Sequence, residues 1–202
     1  MKKLLLVSLF QNVTHILKKA EPKLKGKTIA YIPTAALVEN SGDMIQAEML
    51  TLSNMGLIPV KLEISSAPYE VIDRTLSESD FLFVSGGNTF FLLQEMKRTG
   101  TDKLLIREVE KGKLYIGESA GAIITSPDIG YSAAMDAPEA APRLTDHSGL
   151  DLVPFYVVPH YKGSFLGKEA QNIEEEFSHS LNLKLLTDHQ ALLIEGERET
   201  LF

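Results

Sequence analysis

The chain has 202 residues, of which 44% are hydrophobic and 23% charged, with a formal net charge of -7 and no cysteine. That length supports one sizeable core, and the acidic balance argues against a nucleic-acid backbone as partner. The lack of cysteine excludes disulfides, a thiolate nucleophile and thiolate metal sites, and no segment has the apolar length of a membrane span.

Short apolar runs alternate with amphipathic stretches along the chain, the pattern of βα units on a mostly parallel sheet. Met1-Lys2-Lys3 ahead of Leu4 to Phe10 has the outline of a signal peptide. Its apolar run is short, Gln11 and Asn12 interrupt it, and a buried first strand over Leu4–Leu9 accounts for the same residues. A cytoplasmic protein is therefore expected. Further strands are predicted at Thr28–Ile32, Leu57–Leu62, Phe81–Val84 and Leu114–Ile116. Their near-continuous hydrophobicity fits strands covered on both faces. Helices are predicted near His15, over Asp43–Met55 with Gly56 as its cap, and over Thr89–Lys97 and Lys103–Glu110. Ser126 to Gly149, rich in Pro, Ala, Asp and Gly, reads as a long loop over the active face. A strand at Phe155–Val158 and a helix at Gly167–Phe177 follow, then a closing pair of strands, Lys184–Thr187 with Ala191–Ile194. The expectation is a single α/β domain over residues 1–202, a three-layer sandwich with helices on both faces of the sheet.

Gly117-Glu118-Ser119-Ala120-Gly121 follows the strand Leu114–Ile116 and opens a helix. This is the arrangement of a nucleophile elbow, in which the serine hydroxyl stands exposed above the sheet ends. The following helix is expected to direct amides and partial positive charge at an oxyanion beside Ser119. Read blandly, it is a Gly-rich turn with an incidental serine. A serine needs a base, and five histidines are present: His15, His147, His160, His179 and His189. His189 lies in the turn Asp188-His189-Gln190. His160 stands apart, because Pro159 places it just past the strand Phe155–Val158, the sheet edge where open α/β folds collect catalytic groups. For the carboxylate that would orient it, Asp128, Asp136, Asp146, Asp151 and Glu195 all remain candidates, Glu195 being set at a strand end. Ser85-Gly86-Gly87-Asn88-Thr89 links a strand to a helix. Its amides suit an oxyanion hole together with that of Ala120, while the missing third glycine and Gly-Lys argue against nucleotide binding. As a plain turn it needs no function beyond Asn88 or Thr89 capping the helix.

Taken together, Ser-Gly-Gly-Asn-Thr at 85–89, Gly-Glu-Ser-Ala-Gly-Ala at 117–122, Leu-Val-Pro-Phe at 152–155 and Pro-His-Tyr at 159–161 resemble the peptidase E family of aspartyl dipeptidase-like serine peptidases. The family is related to cyanophycinase and has the class I glutamine amidotransferase-like, flavodoxin-like fold. The resemblance implies a Ser119–His160–Glu195 triad, with the amides of Gly87 and Ala120 as oxyanion hole and Asn88 beside the substrate. It implies a short peptide or other small substrate, hydrolysed through an acyl-enzyme without metal or organic cofactor, by a monomer or homodimer. An esterase or amidase with the same triad, and a silent binding protein of the same fold, are the rival readings. The founding members bind an N-terminal aspartate through an arginine after the catalytic histidine. Residues 161–177 here contain none, Lys162 and Lys168 being their only cations, and Glu118 beside the serine is a further departure.

Overall fold

A computed structural model describes residues 1–39 and 42–202. Its centre is a seven-stranded sheet, built from β1 (Lys3–Val7), β2 (Thr28–Ile32), β3 (Ile58–Lys61), β4 (Phe81–Val84), β5 (Leu114–Glu118), β8 (Ala191–Glu195) and β9 (Arg198–Leu201). The order across the sheet is β3-β2-β4-β5-β1-β8-β9. The five strands from β3 to β1 are parallel, and β8 and β9 run antiparallel at one edge. A separate two-stranded parallel ribbon pairs β6 (Tyr156–Val158) with β7 (Leu183–Leu185).

The apolar runs of the parallel strands are buried on both faces, as their continuous hydrophobicity requires. Alternate residues serve different layers. Leu5, Val7, Ile29, Tyr31, Phe83 and Ile116 pack on α1 (Phe10–Ala20) and α2 (Gly42–Asn54). Leu4, Leu6, Ala30, Leu82, Val84 and Tyr115 pack beneath α3 (Tyr69–Glu78), α4 (Thr89–Thr99), α5 (Thr101–Glu110), α6 (Ala120–Ile123) and α7 (Gly167–Phe177). Helix α1 buries Phe10, Val13, Ile16, Leu17 and Ala20, a single stripe at helical spacing. The expected three-layer α/β architecture is the one observed, and no helix among the described residues is long and apolar enough to cross a membrane.

Three features depart from the sequence expectation. Helix α3 was not foreseen, since Ile72 and Leu76 are its only fully buried residues and leave too short an apolar stripe to read. β9 is equally unannounced; Arg198-Glu199-Thr200 has no alternation, and the strand forms because Gly196, at φ +66°, turns a two-residue hairpin after β8. Finally, β7 does not pair with β8. It lies beside β6 in parallel, with Val158 opposite Leu185, while β8 crosses to lie against β1.

Candidate active site

Ser119 sits at the sharp turn between β5 and α6 with φ 47° and ψ -108°, a sparsely populated conformation that costs roughly 1–3 kcal/mol. Packing imposes it. A Cβ on Gly117 would lie 2.3 Å from the Gly121 carbonyl oxygen, and one on Gly121 would lie 2.1 Å from that of Val84. The Ser119 amide donates to the Val7 carbonyl at 2.9 Å, and the Tyr115 hydroxyl donates to the Gly121 carbonyl at 2.7 Å. The elbow is therefore held from β1, β4 and β5 together. Helix α6 is a single turn of four residues, so it supplies individual amides and not the macrodipole that a longer helix would.

His160 follows β6 and is 1% exposed. Its φ of 60° turns the ring back toward the elbow, a conformation fixed by its amide donating to Ser8 Oγ at 3.0 Å. Ser8 in turn donates to the Leu186 carbonyl at 2.9 Å. His160 Nε2 lies 2.9 Å from Ser119 Oγ, and Nδ1 lies 2.8 Å from Asp188 Oδ1. A carboxylate only accepts, so Nδ1 carries the proton and Nε2 is left to accept from the serine hydroxyl. Burial lowers the His160 pKa below its ordinary value, and the Asp188 hydrogen bond opposes that shift.

The acid at the imidazole is thus Asp188, and Glu195 lies elsewhere. Because β8 is antiparallel to β1, Glu195 falls opposite Lys3, at the end of the sheet remote from Ser119, and pairs with the Lys3 ammonium at 3.5 Å. Asp188 instead belongs to the turn between β7 and β8. Asn12 Nδ2 donates to its carbonyl at 3.0 Å, and Thr187 and Gln190 close the turn. A Cβ at position 163 would lie 2.6 Å from Asp188 Oδ2, so Gly163 leaves room for the carboxylate. Neither Asp188 nor Ser8 was singled out from the sequence.

Ser119 opens into a cavity of about 460 Å³ lined by Glu39, Gly87, Met135, Asp136, Phe165 and Leu166. Gly87, with φ +128°, abuts the 3-10 turn Thr34–Val38, where a Cβ would meet the Ala35 carbonyl at 2.3 Å. This packing brings the glycine turn to the same opening as the serine. Ala120 is fully buried at the start of α6. Asn88 caps the helix α4, as the turn alone suggests: its Oδ1 accepts from the Phe91 amide at 2.9 Å, and its Nδ2 donates to the Ala137 carbonyl at 3.0 Å. Asp136 accepts from the amide and hydroxyl of Thr89, which fastens the 126–149 loop over the cavity. Burial raises the Asp136 pKa, and burial followed by the nearby Asp136 raises that of Glu39. Asp128 and Asp146 stay within the loop, Asp128 accepting from Gly130 and Asp146 pairing with Lys97. Glu118 does not face the cavity. Its side chain is buried and accepts from the Phe10 amide at 2.7 Å, so it sets no charge where substrate would bind.

The family model described as Peptidase family S51 matches residues 4–202. The uncharacterized peptidase Lin0382 of Listeria innocua is 44% identical over 197 residues, covering 98% of this chain and 94% of that protein. Peptidase E of Salmonella arizonae is 31% identical over 148 residues, covering 73% of this chain and 61% of that one. A crystal structure of a Listeria monocytogenes protein named for peptidase E superposes with a TM-score of 0.96 at 41% identity, covering 100% of this chain and 98% of the other.

Proposed function

The chain belongs to peptidase family S51, and from that premise we propose that it is a serine peptidase of short peptides, with Ser119 as nucleophile, His160 as general base and Asp188 as the carboxylate that orients the imidazole. The observation that carries this reading is the continuous chain of contacts from Ser119 Oγ to His160 at 2.9 Å and from His160 to Asp188 at 2.8 Å, formed at a strained elbow. His160 Nε2 takes the serine proton as Oγ attacks the scissile carbonyl, and returns it to the departing amine. Water, deprotonated by the same nitrogen, then cleaves the acyl-enzyme. The oxyanion of each tetrahedral intermediate is assigned to the amides of Gly87 and Ala120. Asp188 keeps the proton on Nδ1 and offsets the charge that His160 acquires. That offset matters here, because burial disfavours a charged imidazole.

The size of the cavity and the loop held over it by Asp136 favour substrates of about dipeptide length. Its described lining holds two carboxyl groups, Glu39 and Asp136, and no cation. This favours a peptide presenting its N-terminal ammonium, and disfavours an N-terminal aspartate. The test is a dipeptide panel run against ester substrates with the wild type and Ser119→Ala, together with fluorophosphonate labelling. The expected result is turnover of peptides, a single label on Ser119, and loss of several orders of magnitude in the variant. Undiminished turnover by Ser119→Ala would sink the assignment.

A further inference from the structure

Beneath the elbow, on the side away from the cavity, two carboxyl groups meet in the core. Glu118 is the residue before Ser119 on β5 and is 3% exposed; Glu48, on α2, is 1% exposed. Glu48 Oε2 accepts from the Tyr31 hydroxyl of β2 at 2.6 Å and from the Ser85 hydroxyl of β4 at 2.8 Å. Glu118 Oε1 accepts from the Phe10 amide of α1 at 2.7 Å. The two remaining oxygens, Glu48 Oε1 and Glu118 Oε2, are fully buried with no donor, although the two side chains lie within hydrogen-bonding reach of each other. Two buried oxygens without a donor, on side chains within reach of one another, are both satisfied by one proton placed between them.

We propose that Glu118 and Glu48 share a single proton, carried by Glu118 and donated to the Glu48 carboxylate, and that this pair positions the nucleophile and sets an alkaline limit on the enzyme. With the proton in place all four oxygens are satisfied. Glu48 receives three donors, and Glu118 is left as the neutral partner. Burial and the neighbouring Glu48 charge push the Glu118 pKa up in the same sense. The groups facing the pair are Tyr31, itself pushed up by burial and so a donor throughout, the Ser85 hydroxyl and the Phe10 amide. No lysine, arginine or histidine among the described residues pairs with either acid.

The placement gives the pair its consequence. Glu118 immediately precedes Ser119, and Ser85 immediately precedes Gly86 and Gly87. The shared proton therefore closes a link from the elbow, through Glu48, to the turn that carries the second oxyanion amide. When the proton leaves for solvent at high pH, two carboxylates repel in the core and the link opens. Glu118 touches no reacting atom and acts through the backbone of Ser119, as a positioning residue. The inference rests on Ser119 being the nucleophile.

The test compares the wild type with Glu118→Gln and Glu48→Gln. In Glu118→Gln the amide donates to Glu48 at every pH while its oxygen keeps the Phe10 contact. Infrared spectroscopy in H2O and D2O at neutral pH reads the proton directly. The wild type should show an isotope-sensitive band of a buried neutral carboxylic acid, absent from both variants. In kinetics, kcat of the wild type should fall about tenfold per pH unit beyond its alkaline limit. Glu118→Gln should keep its neutral-pH kcat and lose that limb, and Glu48→Gln, which no longer demands the shared proton, should lose it too. No acid band in the wild type overturns the shared proton. A band together with superimposable alkaline limbs in wild type and Glu118→Gln overturns the positioning role. A wild type with the band, but with neither turnover nor a labelled Ser119, overturns the nucleophile reading and the positioning claim built on it, while the band still establishes the proton.

Discussion

Replacing Asp188 by Asn tests the acid assignment against its rival most sharply. The carboxylate of Asp188 accepts from Nδ1 of a histidine that is 1% exposed, so no bulk water can take its place. An asparagine in that position can turn its NH2 toward Nδ1. The imidazole proton would then sit on Nε2, which would point a donor at Ser119 Oγ where an acceptor is required. In addition, nothing would offset the burial that already disfavours imidazolium. The comparable change in other serine triads lowers kcat about 10⁴-fold, or ~5 kcal/mol in the barrier. Glu195→Gln removes only a 3.5 Å pair with Lys3 between partly exposed side chains. It should cost under about 1 kcal/mol of stability and leave kcat unchanged. Steady-state rates on the best dipeptide, with circular dichroism to verify folding, make the measurement. A folded Glu195→Gln that loses more activity than Asp188→Asn would refute the argument.

Three further outcomes follow from the same geometry. His160 is active when neutral and its folded pKa is lowered, so the acidic limb of kcat/KM should lie below the ordinary histidine value of about 6.5, measured as a pH–rate profile. The same shift fixes a sign for stability. With a folded pKa below the unfolded one, the His160 contribution is full above the unfolded value and is lost as pH falls through the folded one. Gly121→Ala places a methyl 2.1 Å from a backbone oxygen that cannot turn aside. It should destabilise by about 3 kcal/mol or more, read from urea denaturation, and abolish activity in whatever remains folded.

The parts of the site that were legible are the local ones. The elbow could be read because the Gly-X-Ser-X-Gly spacing lies within one strand–turn–helix unit, where Gly117 is demanded by the Gly121 carbonyl, although Gly121 itself is demanded by the Val84 carbonyl of the neighbouring β4. His160 could be read because Pro159 and a short apolar run mark a strand end. The glycine turn at 86–87 was visible for the same reason, and Asn88 takes the helix-capping role that the turn alone suggests. The Glu48 contact of Glu118 was out of reach, because it joins a strand to a helix far away in the chain through side chains that look like ordinary surface acids.

The triad acid failed for a reason that lies in strand direction. Glu195 as the acid comes from the family resemblance and from its place at a strand end; the C-terminal ends of β1 to β5 do lie at the Ser119 edge, because those strands are parallel. β8 is reversed, so its N-terminal end is the one beside Val7 and the elbow, and a residue preceding the strand reaches the site. The expected closing pair joined residues 184–187 to β8. In the fold β7 instead runs parallel to β6, with Val158 opposite Leu185 and the Tyr161 amide bonded to the Leu186 carbonyl. Two parallel strands in register deliver the residues just past their ends to the same place. His160 lies two positions beyond Val158 and Asp188 three beyond Leu185, so the ribbon itself sets the imidazole against the carboxylate. Nothing within either segment announces that pairing, since Tyr156–Val158 and Leu183–Leu185 are three residues each and could join any edge. What selects it is the burial of Val157, Val158 and Leu186 in the core shared with α6 and α7, a long-range packing decision from which the chemistry of the site follows.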